Sequence, residues 1–405
     1  MYRQFVQGNP MFTSINKVPR QYPYLTENIN TEIIIVGGGV TGAILGYYFT
    51  KNNIPCVILE KNRIAHCSTS ATTALLEYEL DDNLKELSSI ISLEKLLRVY
   101  KLGVSALNEI DSFIKENGNK CNYIKKDALL YTSKNLEKKE LYEEYNLRKE
   151  NGFNVEFIDE HNNPFSFHLK AGIYSKDGGI ELDPYKFTHE LLEVGCNKGL
   201  KVYENTEVID INYMNNGVEV ETIYGYKVKG KIIVVATGYN TTLFTKRKFG
   251  TKYTTFSIGT KEVKNFHGWF NRALIRDNSN PYNYLRTTWD NRIIIGGEDI
   301  NFSDDIINED IANKKYDILE QRLKSMFKNI KDIKIQYRYC GTFISTKDNL
   351  GFIGPEPTNN KLWYCLGYGA NGILFTILGG MMLTEFYYGI KNKDLDLFKV
   401  DRFDS

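Results

Sequence analysis

"EIIIVGGGVTGAILGYYFT", Glu32 to Thr50, sets a short β-branched run against a cluster of glycines and then an apolar stretch. Glu32–Val36 has the composition of a strand buried on both faces. Gly37, Gly39 and Gly42 spell G-x-G-x-x-G directly after that strand and open a helix expected to reach about Asn52. In this context each glycine has a task. Gly37 makes a tight turn, Gly39 lets backbone approach a pyrophosphate, and Gly42 brings the helix close to the sheet. The helix N-terminus, with Val40 and Thr41, then turns unpaired amides toward the phosphates.

A second strand is expected at Cys56–Glu60 after Pro55, and a right-handed crossover lays it parallel to the first. Glu60 ends that strand, where a carboxylate accepts the ribose hydroxyls of an adenosine and repels a 2′-phosphate. Lys61 follows it, and the βαβ unit reads as a dinucleotide site.

Composition narrows the partners. The chain has 405 residues, 42% of them hydrophobic, with 51 basic against 50 acidic residues and a net charge of +1. That balance argues against nucleic acid or anionic lipid and leaves a small-molecule substrate. Six cysteines without a CxxC pair and five histidines without ligand spacing imply no structural metal. The polar segment Met1–Asn30, with Pro10, Pro19 and Pro23, lacks the apolar core of a secretory signal, so a cytoplasmic protein is expected. The longest apolar run, Gly372–Leu383, is shorter than the ~20 residues a membrane span needs.

Along the chain, apolar residues at helical spacing over Leu84–Asn117 predict two helices, or one broken near Gly103. Strands are expected at Tyr123–Thr132 and Val155–Ile158, with a polar helix near Leu136–Glu150 between them. Asp183-Pro184 opens a further helix. "KIIVVATG", Lys231 to Gly238, is a second buried strand ending in small residues, and Thr251–Asp299 is β-rich and aromatic before an amphipathic helix at Ile306–Ile330. A third segment, "GYGANGILFTILGGMMLTEFYYG", again runs from a strand through glycines into a helix.

Nucleotide-type segments that return late in the chain fit FAD better than a nicotinamide cofactor. The expected fold is α/β and α+β, a Rossmann-like FAD-binding domain interleaved with a β-rich substrate domain that carries helices. Residues 28–120, 172–250 and 333–391 are assigned to the first, 121–171 and 251–332 to the second, and 1–27 to an N-terminal arm.

The residues resemble the FAD-dependent amine and amino-acid oxidoreductases of the D-amino-acid oxidase superfamily, over about Tyr22–Gly389. The resemblance rests on the first stretch with Glu60, "STSATTALLEYELD" (Ser68–Asp81), "YNYLRTTWDNRIIIGGED" (Tyr282–Asp299), "GTFISTKDNLGFIG" (Gly341–Gly354) and "LGYGANGI" (Leu366–Ile373). The last four look most like the γ-glutamylputrescine oxidase branch. Marks of rival flavoprotein classes are missing: no CxxxxC follows the fingerprint, and no Arg-x-Gly-Gly-Arg follows the ribose acid.

The resemblance implies a glutathione-reductase-type FAD fold and oxidation of a C–N bond. A neutral amine gives a hydride from its α-carbon to flavin N5, and the imine hydrolyses in water. Since the cofactor carries the hard step, no catalytic triad is expected and no catalytic residue is assigned.

Gly367, Gly369, Asn371, Gly372 and Ile373 are expected to aim a helix N-terminus at the flavin N1/C2 carbonyl, where negative charge grows on reduction. Ser68, Thr69 and Ser70 face the pyrophosphate or the flavin edge. Val208, Ala236, Thr237 and Gly238 complete the cofactor set. Tyr284 and Arg286, two apart on one strand, share a face that the resemblance turns toward substrate. Arg286 or Arg338 is the candidate carboxylate anchor.

Noncovalent FAD is expected, with Cys340 as the alternative attachment point because the covalent cysteine of sarcosine oxidases aligns one residue away. Lys261 is a candidate charge for oxygen chemistry. Competing functions are an FAD-dependent hydroxy-acid dehydrogenase of the same fold and a non-catalytic FAD-binding protein.

Overall fold

The computed structural model describes residues 5–279, 282–303, 305–369 and 371–404. Ile33–Val36 is the centre of a six-stranded sheet because all four of its side chains are buried and apolar. Cys56–Leu59 pairs with it in parallel on one side and Ile232–Val235 on the other, with Ile33 opposite Cys56 and Ile232. Lys201–Tyr203 extends the sheet past Cys56–Leu59. Asn359–Leu366 extends it past Ile232–Val235, and antiparallel Phe352–Glu356 closes that edge.

The helices Val40–Lys51, Pro184–Cys196 and Gly372–Tyr387 pack together, and Leu93–Asn117 joins them against the last. Gly372–Tyr387 is apolar nearly all round and mostly buried, so it belongs inside the protein. A Cβ on Gly380 would lie 2.4 Å from the Tyr48 ring, which explains the small residue at that crossing. Among the described residues no helix is long and apolar enough to cross a membrane.

Leu93–Asn117 is one unbroken helix behind a short turn of helix at Leu84–Leu87. Of the two alternatives the chain takes the first, two helices, with the boundary between Leu87 and Leu93 and no break at Gly103. Gly103 instead admits the Tyr78 backbone, whose carbonyl oxygen would lie 2.8 Å from an added Cβ. Pro184–Cys196 starts as expected, with the Asp183 side chain accepting from the Lys186 N–H at 3.0 Å.

A ten-stranded sheet carries the rest of the architecture. Its path runs from Val6–Gly8 through Ile335–Ser345, Thr251–Thr260, Ile293–Asn301, Tyr284–Thr287, Leu274–Asp277, Ile124–Thr132 and Ala171–Glu181 to Leu75–Glu77. Val155–Asp159 pairs with Ala171–Glu181 off that path. Helix Glu309–Met326 covers one face through Tyr316, Leu319, Leu323 and Met326. A four-stranded sheet is built from Val208–Met214, Gly217–Thr222, Lys227–Gly230 and Ile29–Asn30.

Three strands cross the division drawn from the sequence. Leu75–Glu77, Ala171–Glu181 and Ile335–Ser345 fall in ranges assigned to the FAD-binding portion, yet all pair within the ten-stranded sheet. Val6–Gly8, from the arm, adds its edge strand. Alternating apolar residues predict that a segment is a strand, but pairing across long sequence separations decides which sheet it enters. Met1–Gln4 of the arm and Ala370 of the late glycine turn lie outside the described residues.

Candidate active site

One cavity of about 1110 Å³ runs from the carboxyl ends of the parallel strands to the ten-stranded sheet. Its first wall is the loop after Ile33–Val36, including Gly37, Gly39, Val40 and Thr41. Gly37 has φ +113°, and a Cβ there would lie 2.4 Å from the Ala236 carbonyl oxygen, so glycine is required twice over. A Cβ on Gly42 would sit 1.9 Å from the Gly37 carbonyl oxygen, the close approach expected of it. Gly39 differs: its added Cβ would meet just the Thr69 hydroxyl, at 3.1 Å, leaving that backbone open to the cavity.

Glu60 also lines the cavity, with Lys61 beside it. Its Oε2 accepts the Gly38 N–H at 2.7 Å and its Oε1 the Asn62 N–H at 2.8 Å. Burial pushes this carboxyl up from its ordinary value, while the two amides and Lys61 pull against that. Thr69 Oγ1 accepts from the Val40 N–H at 3.0 Å, and Ser70 Oγ donates to the Cys67 carbonyl at 2.8 Å. Ser68, Val208, Ala236, Thr237 and Gly238 line the same cavity. The buried hydroxyl of Thr237 has no hydrogen-bond partner among the described residues.

The glycine turn, open at Gly39, and the unpartnered hydroxyl of Thr237, a residue bordering the cavity, suit an extended polar ligand with a pyrophosphate. The cradle fits the dinucleotide.

The second wall comes from the late turn, where Gly367, Gly369, Asn371, Gly372 and Ile373 all border the cavity. Gly367 and Gly372 approach so closely that a Cβ on either would lie within 2.4 Å of the other's carbonyl oxygen. Gly369 adopts φ +73°. Asn371 donates its side-chain amide to the Glu79 carbonyl, tying the turn to the chain beneath it.

The third wall is the ten-stranded sheet. Tyr284 lies there as expected, its hydroxyl 2.9 Å from Thr255 Oγ1. A Cβ on Gly296, directly across the ladder, would meet the Tyr284 ring at 2.3 Å, so that glycine makes room for the ring.

Neither expected anchor faces the cavity. Arg286 is 1% exposed and donates to the Thr73 carbonyl at 2.5 Å and the Leu182 carbonyl at 2.9 Å, beneath the Phe12 ring. Lying on the same face as Tyr284, it is nonetheless covered by backbone it must satisfy. Arg338 turns to helix Glu309–Met326 and pairs with Asp317 at 3.1 Å and Glu320 at 3.3 Å.

Cys340 points away from the cavity into the core under that helix, beside Tyr316, whereas its neighbour Gly341 lines the cavity. Strand alternation thus removes it as an attachment point. Lys261 is exposed and lies off the cavity wall.

Two other arginines line the cavity: Arg63 near Glu60, and Arg276 at the sheet end, in the strand paired with Tyr284. Glu77, Glu79, Asp81, Tyr282 and Asp299 share this end. Burial raises Glu77, with Glu79 adding to the rise and Arg276 opposing it. Burial also pushes Asp299 up to about 6. Glu79 is held below its ordinary range; burial opposes this, but Arg148 and Arg276 outweigh it. A sequence signal for these acids existed in "EYELD", where period two places Glu77, Glu79 and Asp81 on one side of an extended chain. Phe5, Val6 and Gly8 of the arm also border the cavity, and no periodic signal marked them.

Comparison with known proteins agrees with this geometry. The Bacillus subtilis protein YhfW, provisionally described as a Rieske 2Fe-2S iron–sulfur protein, is 22% identical over 94% of this chain and 73% of its own length. The γ-glutamylputrescine oxidoreductase of Escherichia coli is 23% identical over 90% of this chain and 85% of its own. The crystal structure of glycine oxidase from Geobacillus kaustophilus shares the fold with a TM-score of 0.77 at 19% identity, covering 92% of this chain and 99% of that one. The family model described as FAD dependent oxidoreductase, DAO, matches residues 32–386. The chain therefore belongs to the DAO family of FAD-dependent oxidoreductases.

Proposed function

We propose that this chain oxidises a small amine or amino acid at a carbon bonded to nitrogen. One observation carries the reading: a single cavity joins the glycine cradle to a polar, protein-walled chamber on the sheet. At about 1110 Å³ it exceeds the ~300–1000 Å³ of pockets that hold one drug-sized ligand, leaving space for cofactor and substrate together. The names of the related oxidoreductases above, which act on γ-glutamylputrescine and glycine, point the same way.

In this reading Glu60 accepts the ribose hydroxyls, while the Gly37–Thr41 loop and Ser68–Ser70 receive the pyrophosphate. The amino end of helix Gly372–Tyr387 stabilises negative charge in the ring system. Bound FAD supplies the acceptor for a hydride and its two electrons. The substrate loses that hydride from its α-carbon and a proton from its nitrogen, and the resulting imine takes up water to release a carbonyl compound. Protein groups hold the amine in place and keep bulk water from the reacting carbon. Tyr284, with Thr255, is placed to orient the substrate from the sheet side.

The test is an anaerobic titration of the FAD-loaded protein against primary amines, N-methyl amino acids and hydroxy acids, followed by flavin absorbance. Bleaching by amines but not by hydroxy acids is expected. Bleaching by hydroxy acids alone, or by nothing in the panel, overturns the reading.

A further inference from the structure

Strand Ile293–Asn301 breaks its own alternation where it borders the cavity. Ile293 and Ile295 pack under helix Glu309–Met326, and Gly296 faces the Tyr284 ring on the other side. Regular alternation from there would turn Glu298 to the cavity and Asp299 to the helix. The chain does the reverse: Glu298 pairs with Lys315 of the helix at 3.1 Å, and Asp299 borders the cavity.

A β-bulge makes the exchange. Thr254 pairs with Ile300 and Phe256 with Gly297, so the single residue Thr255 lies opposite both Glu298 and Asp299. Gly297 has φ +138° and Glu298 φ +58°, the second a left-handed conformation that glutamate seldom takes. Bulges re-aim side chains beside active sites, and backbone held in a rare conformation there points to a use. Here the result is a carboxyl set beside Thr255.

The three side chains form a hydrogen-bonded row along the wall. Thr255 bonds the Asp299 carboxyl, and its Oγ1 lies 2.9 Å from the Tyr284 hydroxyl. A hydroxyl has one hydrogen, so Thr255 donates to the carboxylate and accepts from Tyr284. Ser257 also bonds Tyr284. Burial pushes Asp299 up to about 6; Asp81 and Glu298 add to the rise, and the Thr255 bond and Lys315 oppose it. Asp81 itself accepts from the Tyr282 hydroxyl at 3.2 Å. Tyr284 is pushed up as well, by burial and then by Asp299, so it can hand a proton on without keeping a charge.

An amine in neutral water is an ammonium ion, with no free electron pair on nitrogen. One N–H proton must leave before hydride can depart from the α-carbon. We infer that Asp299 takes that proton through Tyr284 and Thr255, so that the substrate lies in the cavity as the free amine. This rests on the amine-oxidation reading above. The N–H bond breaks, its electron pair stays on nitrogen, and an O–H bond forms on Tyr284. The Tyr284 hydrogen passes to Thr255 and the Thr255 hydrogen to the carboxylate. Ammonium and carboxylate become amine and carboxylic acid, with no other reactant. Burial disfavours both charged forms, so one transfer relieves two penalties. Asp299 is thus a positioning residue, and Tyr284 is the group that meets the substrate.

Two readouts test the relay on the FAD-loaded protein. In the first, anaerobic flavin reduction by n-pentylamine and by N-methylglycine is followed between pH 6 and pH 10. The wild-type rate should hold its plateau down to about pH 6. In Asp299→Asn and Thr255→Val the rate at pH 7 should fall at least about a hundredfold and recover near pH 10, where the amine is free without help. Asp299→Glu should restore part of the loss. A merely structural role would lower the rate alike at every pH.

The second readout needs no turnover. tert-Butylamine has no hydrogen on the carbon bonded to nitrogen and cannot give a hydride. Infrared difference spectra at pH 8 should show a carboxylic-acid C=O band when it, or ammonium chloride, is added to the wild type. Asp299→Asn and Thr255→Val should lack that band. FAD content per chain checks that each variant is folded.

Flavin reduction with one pH profile for wild type and Asp299→Asn, or no band with either additive, overturns the relay and leaves amine oxidation standing. If no amine reduces the flavin, yet tert-butylamine raises the band and Thr255→Val abolishes it, the relay stands and amine oxidation falls.

Discussion

The hydroxyls of Thr41 and Thr376 lie 3.3 Å apart, joining the helix that begins at Val40 to the helix that begins at Gly372. Thr376 also donates to the Gly372 carbonyl at 2.7 Å, so it accepts from Thr41. Both helix amino ends open on one cavity, and this bond fixes their spacing. Thr41→Val should lower stability by about 1 kcal/mol and weaken FAD binding by up to about fivefold. Denaturant unfolding and FAD titration check the two effects separately.

Gly39→Ala and Gly42→Ala should behave differently although they sit in one fingerprint. A methyl on Gly42 collides with the Gly37 carbonyl at 1.9 Å, so the fold itself suffers, by about 1–3 kcal/mol or more. A methyl on Gly39 touches the Thr69 hydroxyl and otherwise occupies ligand space. We expect Gly42→Ala to lower the melting temperature of FAD-free protein, while Gly39→Ala leaves it unchanged and takes up little FAD. Equal melting temperatures for the two variants would contradict this assignment.

Arg286→Met tests whether that residue is a clamp. It leaves the Thr73 and Leu182 carbonyls buried without their charged donor, a loss of about 2 kcal/mol or more. Stability should fall, with the effect on turnover the same for amines with and without a carboxylate. A selective rise in KM for carboxylate-bearing substrates would instead make Arg286 an anchor.

Acidity should stabilise the sheet end. Asp299 rises to about 6 and Glu77 also rises in the folded, ligand-free protein. The folded state then binds more protons than the unfolded chain, so this contribution to stability is full below the unfolded carboxyl range. It fades as pH climbs through about 6 and beyond. Thermal melting should decline over that window, and Asp299→Asn should flatten the decline. A melting temperature flat between pH 5 and pH 8 would contradict it.

Legibility followed the range of the forces involved. Ile33–Val36, the glycine turn and Glu60 could be read directly, because strand, turn and cap are fixed by neighbours in sequence. Alternation put Tyr284 and Arg286 on one face, and the resemblance turned that face toward the cavity that Tyr284 lines. Arg286, on the same face, was misread because alternation gives a side but not the depth at which backbone from Thr73 covers it. Arg276 was missed for a related reason. It reaches the cavity through pairing opposite Tyr284, a contact between strands that no local pattern announces. Gly103 shows the same limit in a helix, where a residue that disfavours helix locally is required by a distant carbonyl.

The edge strand Val6–Gly8 pairs with Tyr339, Cys340 and Gly341, residues far from it in the sequence. Phe5 passes its carbonyl to the Thr342 N–H at 2.9 Å, and Phe5 and Val6 border the chamber. The chamber wall is therefore closed along a seam of contacts widely separated in sequence, the kind that form slowly, so the opening segment shuts it late in folding.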